Sequence, residues 1–545
     1  MYECMNCSSG LKFNIALQQL VCEHCNSQYD PYEYDELNVA EEDNSFEVTM
    51  FTCSQCGGEL YTTDNTVSGF CSFCGSTAVL NSRVDKELRP DYIIPFQKTK
   101  EDCKTAYMRL MRLAIFAPKE LKDKKCIDGF RGIYMPYWLY DVKHQQNLSL
   151  PGKTEKRRGD YIYTSHYRLY GNLDAQYNGI SYDGSSSFAD SISGKVAPFN
   201  VNAMKRFTPT FLSGFYADTA DVDPEAYSDN AMELANKHSV GFIQKHSKIR
   251  KYNVEEKDIR SDLRGEVEKT SRAMFPVWFM SYRNKDRVAY ATVNGQTGKV
   301  VADLPVDIKK YMIGTLVLAI PIFILLNLFF TVTPSVLLAV VAFVSAFVSI
   351  LYTIEMKEIV KRETYKDDEG MQYKNSIRSG WGKNREAAVT QDDTWVVELE
   401  RQKRIKKTKK KMPLLLKIFI IYFAASFIIQ GGIFLLVFWE FDSLALIANV
   451  IAIVISAIAF VNSMSLEKKL HGKTKVTVDL YCLIAIGVAL IIACLNPVHD
   501  LYYYVGASFS LIAVFITLID LIKKYNILAT RKLPQFDYRG GDDNA

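Results

Sequence analysis

Eight of the chain's twelve cysteines lie in its first 74 residues, in a repeated pattern. Cys4 and Cys7 form one Cys-x-x-Cys pair and Cys22 and Cys25 a second, with fourteen residues between them. Cys53, Cys56, Cys71 and Cys74 repeat the arrangement, every ligand displaced by 49 positions. Two such pairs on the arms of a hairpin bring four sulfurs around one tetrahedral ion. The duplication therefore predicts two small β zinc ribbons, at 1–35 and 51–82, joined by an acidic linker at 36–50. Modules this small cannot fold on apolar burial alone, so the two zinc ions are structural and their ligand sets closed. Each knuckle needs a residue that accepts positive φ after its second cysteine. Gly57 and Gly75 supply it, Asn26 tolerates it, and Ser8 is a poorer fit. Rubredoxin-type iron or an iron–sulfur cluster is the alternative metal. A disulfide framework is disfavoured, because the opening Met1-Tyr2-Glu3-Cys4 is no signal peptide and the cytosol keeps thiols reduced. His24, inside a knuckle, reads as exposed rather than as a spare ligand.

Charge then decides what such ribbons can bind. The formal net charge of +4 is a sum of unlike parts: residues 1–82 carry one basic residue, Lys12, against twelve acidic ones. Residues 83–310 carry 38 basic and 29 acidic, and 311–545 carry 26 and 20. Four thiolates outweigh one Zn²⁺, so each centre adds a further charge of about −2. A block this acidic repels DNA and RNA, which require Lys and Arg at their phosphates. Protein docking is the expectation, towards a basic partner or the chain's own basic middle block.

Six uncharged apolar stretches follow, near 311–331, 334–354, 418–439, 443–464, 480–498 and 501–519, each long enough for a bilayer. Segment 355–417 holds 17 basic residues, 465–475 four and 520–545 five, while the alternate loops hold none. The basic side faces the cytosol, so both termini are expected inside a bacterial plasma membrane. The spans divide into transmembrane hairpins at 309–356, 413–466 and 476–522, with a basic cytosolic loop and helix at 357–412 and a tail at 523–545. Within that loop, Arg401 to Lys411 has eight basic residues in eleven, suited to anionic lipid headgroups. Ionisable residues, among them Glu440, Asp442, Asp479, Asp500 and Asp520, sit at span ends. Asn327, Gln430 and Asn449 are the polar candidates nearer span centres. Anchoring and lateral assembly, including a homo-oligomer, explain the spans at least as well as transport.

Residues 83–308 read as a cytosolic α+β domain. Tyr92–Phe96 is a strand, and Thr99 caps a helix with Cys103, Tyr107, Leu110 and Met111 at helical spacing. Gly132–Tyr140 and Ala273–Phe279 share a Pro-x-Trp segment and suggest a pseudo-repeat. Tyr161–Tyr170 alternates as a strand, 224–247 reads as a helix, and Tyr290–Val301 as a hairpin turning at Asn294–Gly298. The Gly295–Val300 stretch lacks the spacing and the following helix of a phosphate loop. His238 and His246 form no HExxH pair, and Cys103 and Cys126 have no paired histidine. No catalytic set emerges, and the chain is expected not to be an enzyme.

Several segments carry a resemblance: Asp91-Tyr92-Ile93-Ile94-Pro95-Phe96, Phe116-Ala117-Pro118-Lys119-Glu120-Leu121, Gly132–Trp138, Gly214–Asp218 and Asn294–Val300. Together with the eight cysteines they resemble bacterial membrane proteins with transcription-factor-IIB-type zinc ribbons, over roughly residues 1–310. Members are often labelled primosomal replication-restart helicases, although this chain has no helicase motif. The family is similar to membrane partners of flotillin-like and phage-shock systems. The resemblance implies a membrane platform that recruits cytosolic proteins in envelope stress. Two rivals stand beside it: a six-span transporter or channel with a regulatory ribbon domain, and a membrane-tethered nucleic-acid-binding regulator using the basic middle block.

Overall fold

The computed structural model describes residues 2–38, 45–63, 71–76, 80–158, 161–329, 333–364, 366–370, 372, 441–471 and 476–534. The expected third span, Gln430 and the basic run at 401–411 lie outside them. The chain divides into two compact units. The first is Met1–Leu304 with Asp367–Lys374 and Thr530–Ala545; the second is Pro305–Lys366 with Asn375–Ala529.

The first unit opens with a three-stranded antiparallel sheet of β1 (Leu11–Asn14), β2 (Gln19–Cys22) and β3 (Gln28–Tyr29). Helix α1 (Pro31–Asn38) follows. The next three strands, β4 (Ser45–Cys53), β5 (Glu59–Thr62) and β6 (Leu80–Leu88), join a 12-stranded sheet rather than forming a separate ribbon. The expected boundary at 50/51 falls inside β4, where Val48, Met50 and Phe51 are buried. Burial decides this: a strand with that much apolar surface is covered by a larger sheet, which a free ribbon lacks.

The sheet continues through β7 (Tyr92–Ile93), β8 (Arg131–Arg158), β9 (Tyr161–Asp183), β10 (Lys205–Arg206), β11 (Tyr216–Asp218), β12 (Glu266–Asn284), β13 (Arg287–Asn294) and β14 (Val300–Ala302). Helix α2 (Lys100–Leu113) begins at Thr99 with a reciprocal cap, Thr99 and Asp102 each bonding the other's backbone N–H, and buries Cys103, Tyr107 and Met111. The short α3 (Lys124–Ile127) and α4 (Asp190–Val196) precede α5 (Glu225–Lys245) and α6 (Glu256–Asp262). The last two cover part of the β8–β9 hairpin through Val240, Ile243 and Ile259 against Leu148, Leu150 and Leu173.

The Pro-x-Trp echo has a structural counterpart. Strands β8 and β12 lie antiparallel with Pro136 opposite Met274, Tyr134 opposite Pro276, and Met135 opposite Phe275 between them. The two segments are thus related by a local two-fold through the Met135–Phe275 pair. Each tryptophan donates its indole N–H to a main-chain carbonyl: Trp138 to Val222 at 2.7 Å, and Trp278 to Lys98 at 2.8 Å. The motif segments meet here too. Phe96 stacks on Phe215 with ring centroids 4.5 Å apart and packs against Tyr134 and Trp278. Gly132 and Gly295 make room, since a Cβ on either comes within 2.6 Å of the Phe215 or Phe96 ring. In the Asn294–Gly298 turn, Asn294 Oδ1 accepts from the N–H groups of Gln296 and Thr297. That turn is a packing device, as the hairpin reading expects.

In the second unit, α7 (Ile308–Phe329) covers the first expected span. The bundle that follows is α8 (Pro334–Glu363), α9 (Phe441–His471), α10 (Leu480–Leu495) and α11 (Leu501–Leu528). Among the described residues, three helical stretches are long and apolar enough to cross a membrane: Pro334–Glu363, Leu446–Leu470 and Leu501–Leu528. Helix α10 is apolar but has 16 residues, about 24 Å of rise against a hydrocarbon core of about 30 Å. It stops where Asn496 turns left-handed, at φ 43°, before Pro497. The six expected spans are therefore not all present among the described residues. Small residues let the helices approach: a Cβ on Gly506 would sit 2.6 Å from Ile492. Phe343, Phe347, Val454, Leu511 and Phe515 point outward and exposed, the pattern of a bundle facing lipid. After α11 the chain does not trail off: β15 (Arg531–Lys532) pairs with β13, so the expected tail contributes to the first unit's sheet.

Candidate metal centres

The eight cysteines come together in two groups of four, Cys4, Cys7, Cys22, Cys25 and Cys53, Cys56, Cys71, Cys74, the sulfurs of each group lying within 4.8 Å of one another. The backbone does this in four equivalent knuckles. In each, the residue after the second cysteine donates its N–H to the first cysteine's carbonyl: Ser8 to Cys4 at 2.8 Å, Asn26 to Cys22 at 2.9 Å, Gly57 to Cys53 at 2.8 Å, Gly75 to Cys71 at 3.0 Å. All four donors have positive φ, between 56° and 71°. Ser8 accepts this conformation despite its Cβ, at a cost on the order of 1 kcal/mol.

The sulfur separations suit one metal ion. They are 3.4 Å for Cys4–Cys25, Cys7–Cys22 and Cys7–Cys25, and 3.7–3.8 Å for Cys56–Cys71 and Cys53–Cys74. A tetrahedral ion with Zn–S bonds of about 2.3 Å spaces its sulfurs by about 3.8 Å. His24 is exposed and belongs to neither group.

The surroundings differ. In the first group Cys25 is exposed and Cys7 half-buried, and the Tyr29 hydroxyl, 3.3 Å from Cys4 Sγ, pulls that thiol down to about 6. This module docks on the rest of its unit largely through apolar contacts. Leu11, Phe13 and Leu20 share a core with Phe211, Leu212 and Phe96, and the Phe13 and Phe211 rings meet edge-on at 5.2 Å. Hydrogen bonds fix the register: Phe13 N–H to Ser213 carbonyl at 3.1 Å, and Gln18 to the Phe96 carbonyl at 2.8 Å. One ion pair joins it, Arg89–Asp35 at 2.7 Å. The expectation that the ribbons settle on their own basic domain thus holds in place for this module, but its contact is apolar rather than electrostatic. Lys12, the block's single basic residue, is tied to Glu23 at 2.8 Å.

In the second group all four cysteines are buried. Phe73 lies against Phe279, Tyr290 donates its hydroxyl to the Phe73 carbonyl at 2.7 Å, and a Cβ on Gly75 would touch the Arg283 Cβ at 3.2 Å. Glu59, almost fully buried, pairs with Arg83 at 3.1 Å. This centre is sealed against β12 and β13.

Other polar groups escaped the sequence reading because each looks ordinary in one dimension. Asp218, at the end of β11, is buried and accepts from the hydroxyls of Ser185 and Ser187. Burial pushes its carboxyl up to about 7. His144 is fully buried, with neither ring nitrogen hydrogen-bonded among the described residues, and burial lowers its pKa. His238 and His246 are exposed. Burial raises the thiols of both Cys103 and Cys126, the latter to about 11.

The molecule is thus of a definite class: two Cys4 groups suited to metal, a sheet-rich unit, and long apolar helices that suit membrane association. No family model and no solved structure matches it. It is 27% identical over 316 residues to "Uncharacterized protein YdjG" of Bacillus subtilis (strain 168), across 57% of this chain and 91% of the relative. The relative's name assigns no function.

Proposed function

We propose that this chain is a multi-pass protein of the bacterial plasma membrane, with both termini in the cytosol. In this reading it recruits cytosolic proteins, as a scaffold or sensor in envelope stress. Zinc is the ion at both centres, because four thiolates at these separations are its preferred structural set. The observation that carries the docking role is the first module. It is held rigidly by Phe13, Gln18 and Ser213 yet keeps Cys25 and its knuckle open to solvent, while apolar helices in the same chain tether it to a bilayer. The candidate partners, flotillin-like or phage-shock proteins, come from the family resemblance. The 401–411 run is assigned to anionic lipids on composition. The test is crosslinking and affinity capture of the full-length protein from membranes, with Cys25→Ser beside the wild type. Loss of specific partners supports the reading, and an unchanged partner set sinks it.

A second reading has its own observation. Several polar side chains are fully buried inside the helix bundle, Ser345, Ser349, Asn449, Ser456, Ser510 and Thr517, and the Ser349 and Ser456 hydroxyls lie 3.3 Å apart. That supports a transport role, which solute flux in proteoliposomes tests directly.

A further inference from the structure

Strands β8 and β9 outrun the sheet that holds them. β12 pairs with β8 only as far as Lys143, and beyond it the two strands continue alone to the Arg158–Tyr161 pair, roughly 50 Å further at about 3.3 Å per residue. Helices α5 and α6 cover one face as far as Leu150, and Tyr252 reaches Tyr167 at 4.9 Å. Asn253 donates its N–H to the Lys153 carbonyl at 2.8 Å and Glu255 pairs with the Lys153 ammonium at 3.2 Å. Past the Lys153–His166 pair, among the described residues, no other element packs on the ribbon, and Ser165 to Tyr161 are exposed without a break.

A bare two-stranded ribbon is marginal in water and is normally blunted by polar residues. This one carries Tyr161, Ile162 and Tyr163 at 73%, 65% and 59% exposure. In the register Lys156 is paired with Tyr163, Arg157 with Ile162 and Arg158 with Tyr161. Over residues 151–170 there are five Lys and Arg against two acidic residues. Tyrosine bodies with polar tips, an exposed isoleucine and flanking cations are what a lipid–water interface accepts, and the cations complement anionic headgroups.

We propose that the free end of the β8–β9 hairpin, strand residues 154–158 and 161–166, is a peripheral anchor that docks on the anionic phospholipid surface of the membrane. This rests on the membrane location proposed above. It is distinct from the basic run at 401–411, because it uses aromatic and aliphatic insertion as well as charge. Nucleic acid is the lesser fit. Ile162 offers no stacking face, and a tethered domain meets headgroups at high effective concentration.

The test is hydrogen–deuterium exchange on the full-length protein in nanodiscs of phosphatidylcholine alone and of an equimolar mixture with phosphatidylglycerol. Amides of 154–158 and 161–166 should exchange several-fold more slowly in the mixed discs. K156E/R157E and, separately, Tyr161→Ser/Tyr163→Ser should abolish the difference while exchange elsewhere in the first unit stays the same. That unchanged background shows the variants are folded. Equal exchange in both discs overturns the anchor, as does slowing by a single-stranded oligonucleotide in phosphatidylcholine discs alone. If the protein fails to enter discs at all, the membrane location falls and the anchor with it. Entry without lipid dependence removes only the anchor.

Discussion

Cys25 is exposed, and its counterpart 49 residues on, Cys74, is fully buried. The two modules share a ligand spacing, a knuckle hydrogen bond and a positive φ after each second cysteine. What differs is the neighbourhood. The first keeps its own three-stranded sheet and sits on the domain as a bolted-on piece. The second has given its strands to the main sheet, where β4 pairs with β5 and β6, and β5 with β11. A duplicated motif has thus yielded one accessible centre and one keystone, and burial rather than ligand chemistry separates them.

The largest expected effect breaks the second module. Cys71→Ser should unfold the first unit broadly, because a lost buried ligand empties the centre under β12 and β13. Cys25→Ser should free only the first module and leave the main sheet's exchange protection intact. Both should lower bound zinc from two ions to one, read by elemental mass spectrometry. Equal consequences from the two variants would erase the distinction.

Next comes the docking face. Phe13→Ala removes a ring packed on Phe211 and should cost about 3 kcal/mol, seen as selective proteolysis near residues 30–45. Raised salt should do much less, since Arg89–Asp35 is the ion pair across this face and partly exposed pairs contribute at most about 1 kcal/mol. Chelator challenge gives a kinetic version of the same contrast. Zinc should leave in two phases, the fast one lost in Cys25→Ser and the slow one matching global unfolding.

The smallest effect is a pH dependence where the second module's sheet joins β11. Asp218, paired in register with Leu60, has its carboxyl raised from 3.8 to about 7 by burial, against the pull of Ser185 and Ser187. The folded state keeps this proton to higher pH than the unfolded chain does. Its contribution is therefore full below about pH 4 and lost as pH rises through about 7. Asp183 is shifted the same way, by burial and by the Asp190 charge. The thermal midpoint should fall between about pH 4 and about pH 7, and Asp218→Asn should flatten that fall.

Local features were legible in the sequence because their causes are local. The eight ligands, the positive-φ positions, the Thr99 cap, the Asn294–Gly298 turn and the long apolar helices each depend on a few neighbouring residues. Asp218, His144 and the fate of the second ribbon did not announce themselves, since each depends on what packs there from far along the chain. Asp218 owes its raised carboxyl to burial, and the hydroxyls that oppose it, Ser185 and Ser187, lie more than thirty positions away.

That four sulfurs meet twice could be read from the chain alone, since each knuckle's geometry is contained in a handful of residues. That one centre is sealed and the other open, and that a tyrosine-lined ribbon reaches past its sheet, follows from packing between residues far apart in the chain. Burial is a property of the whole packed chain, and the same motif takes on different roles according to the surface that covers it.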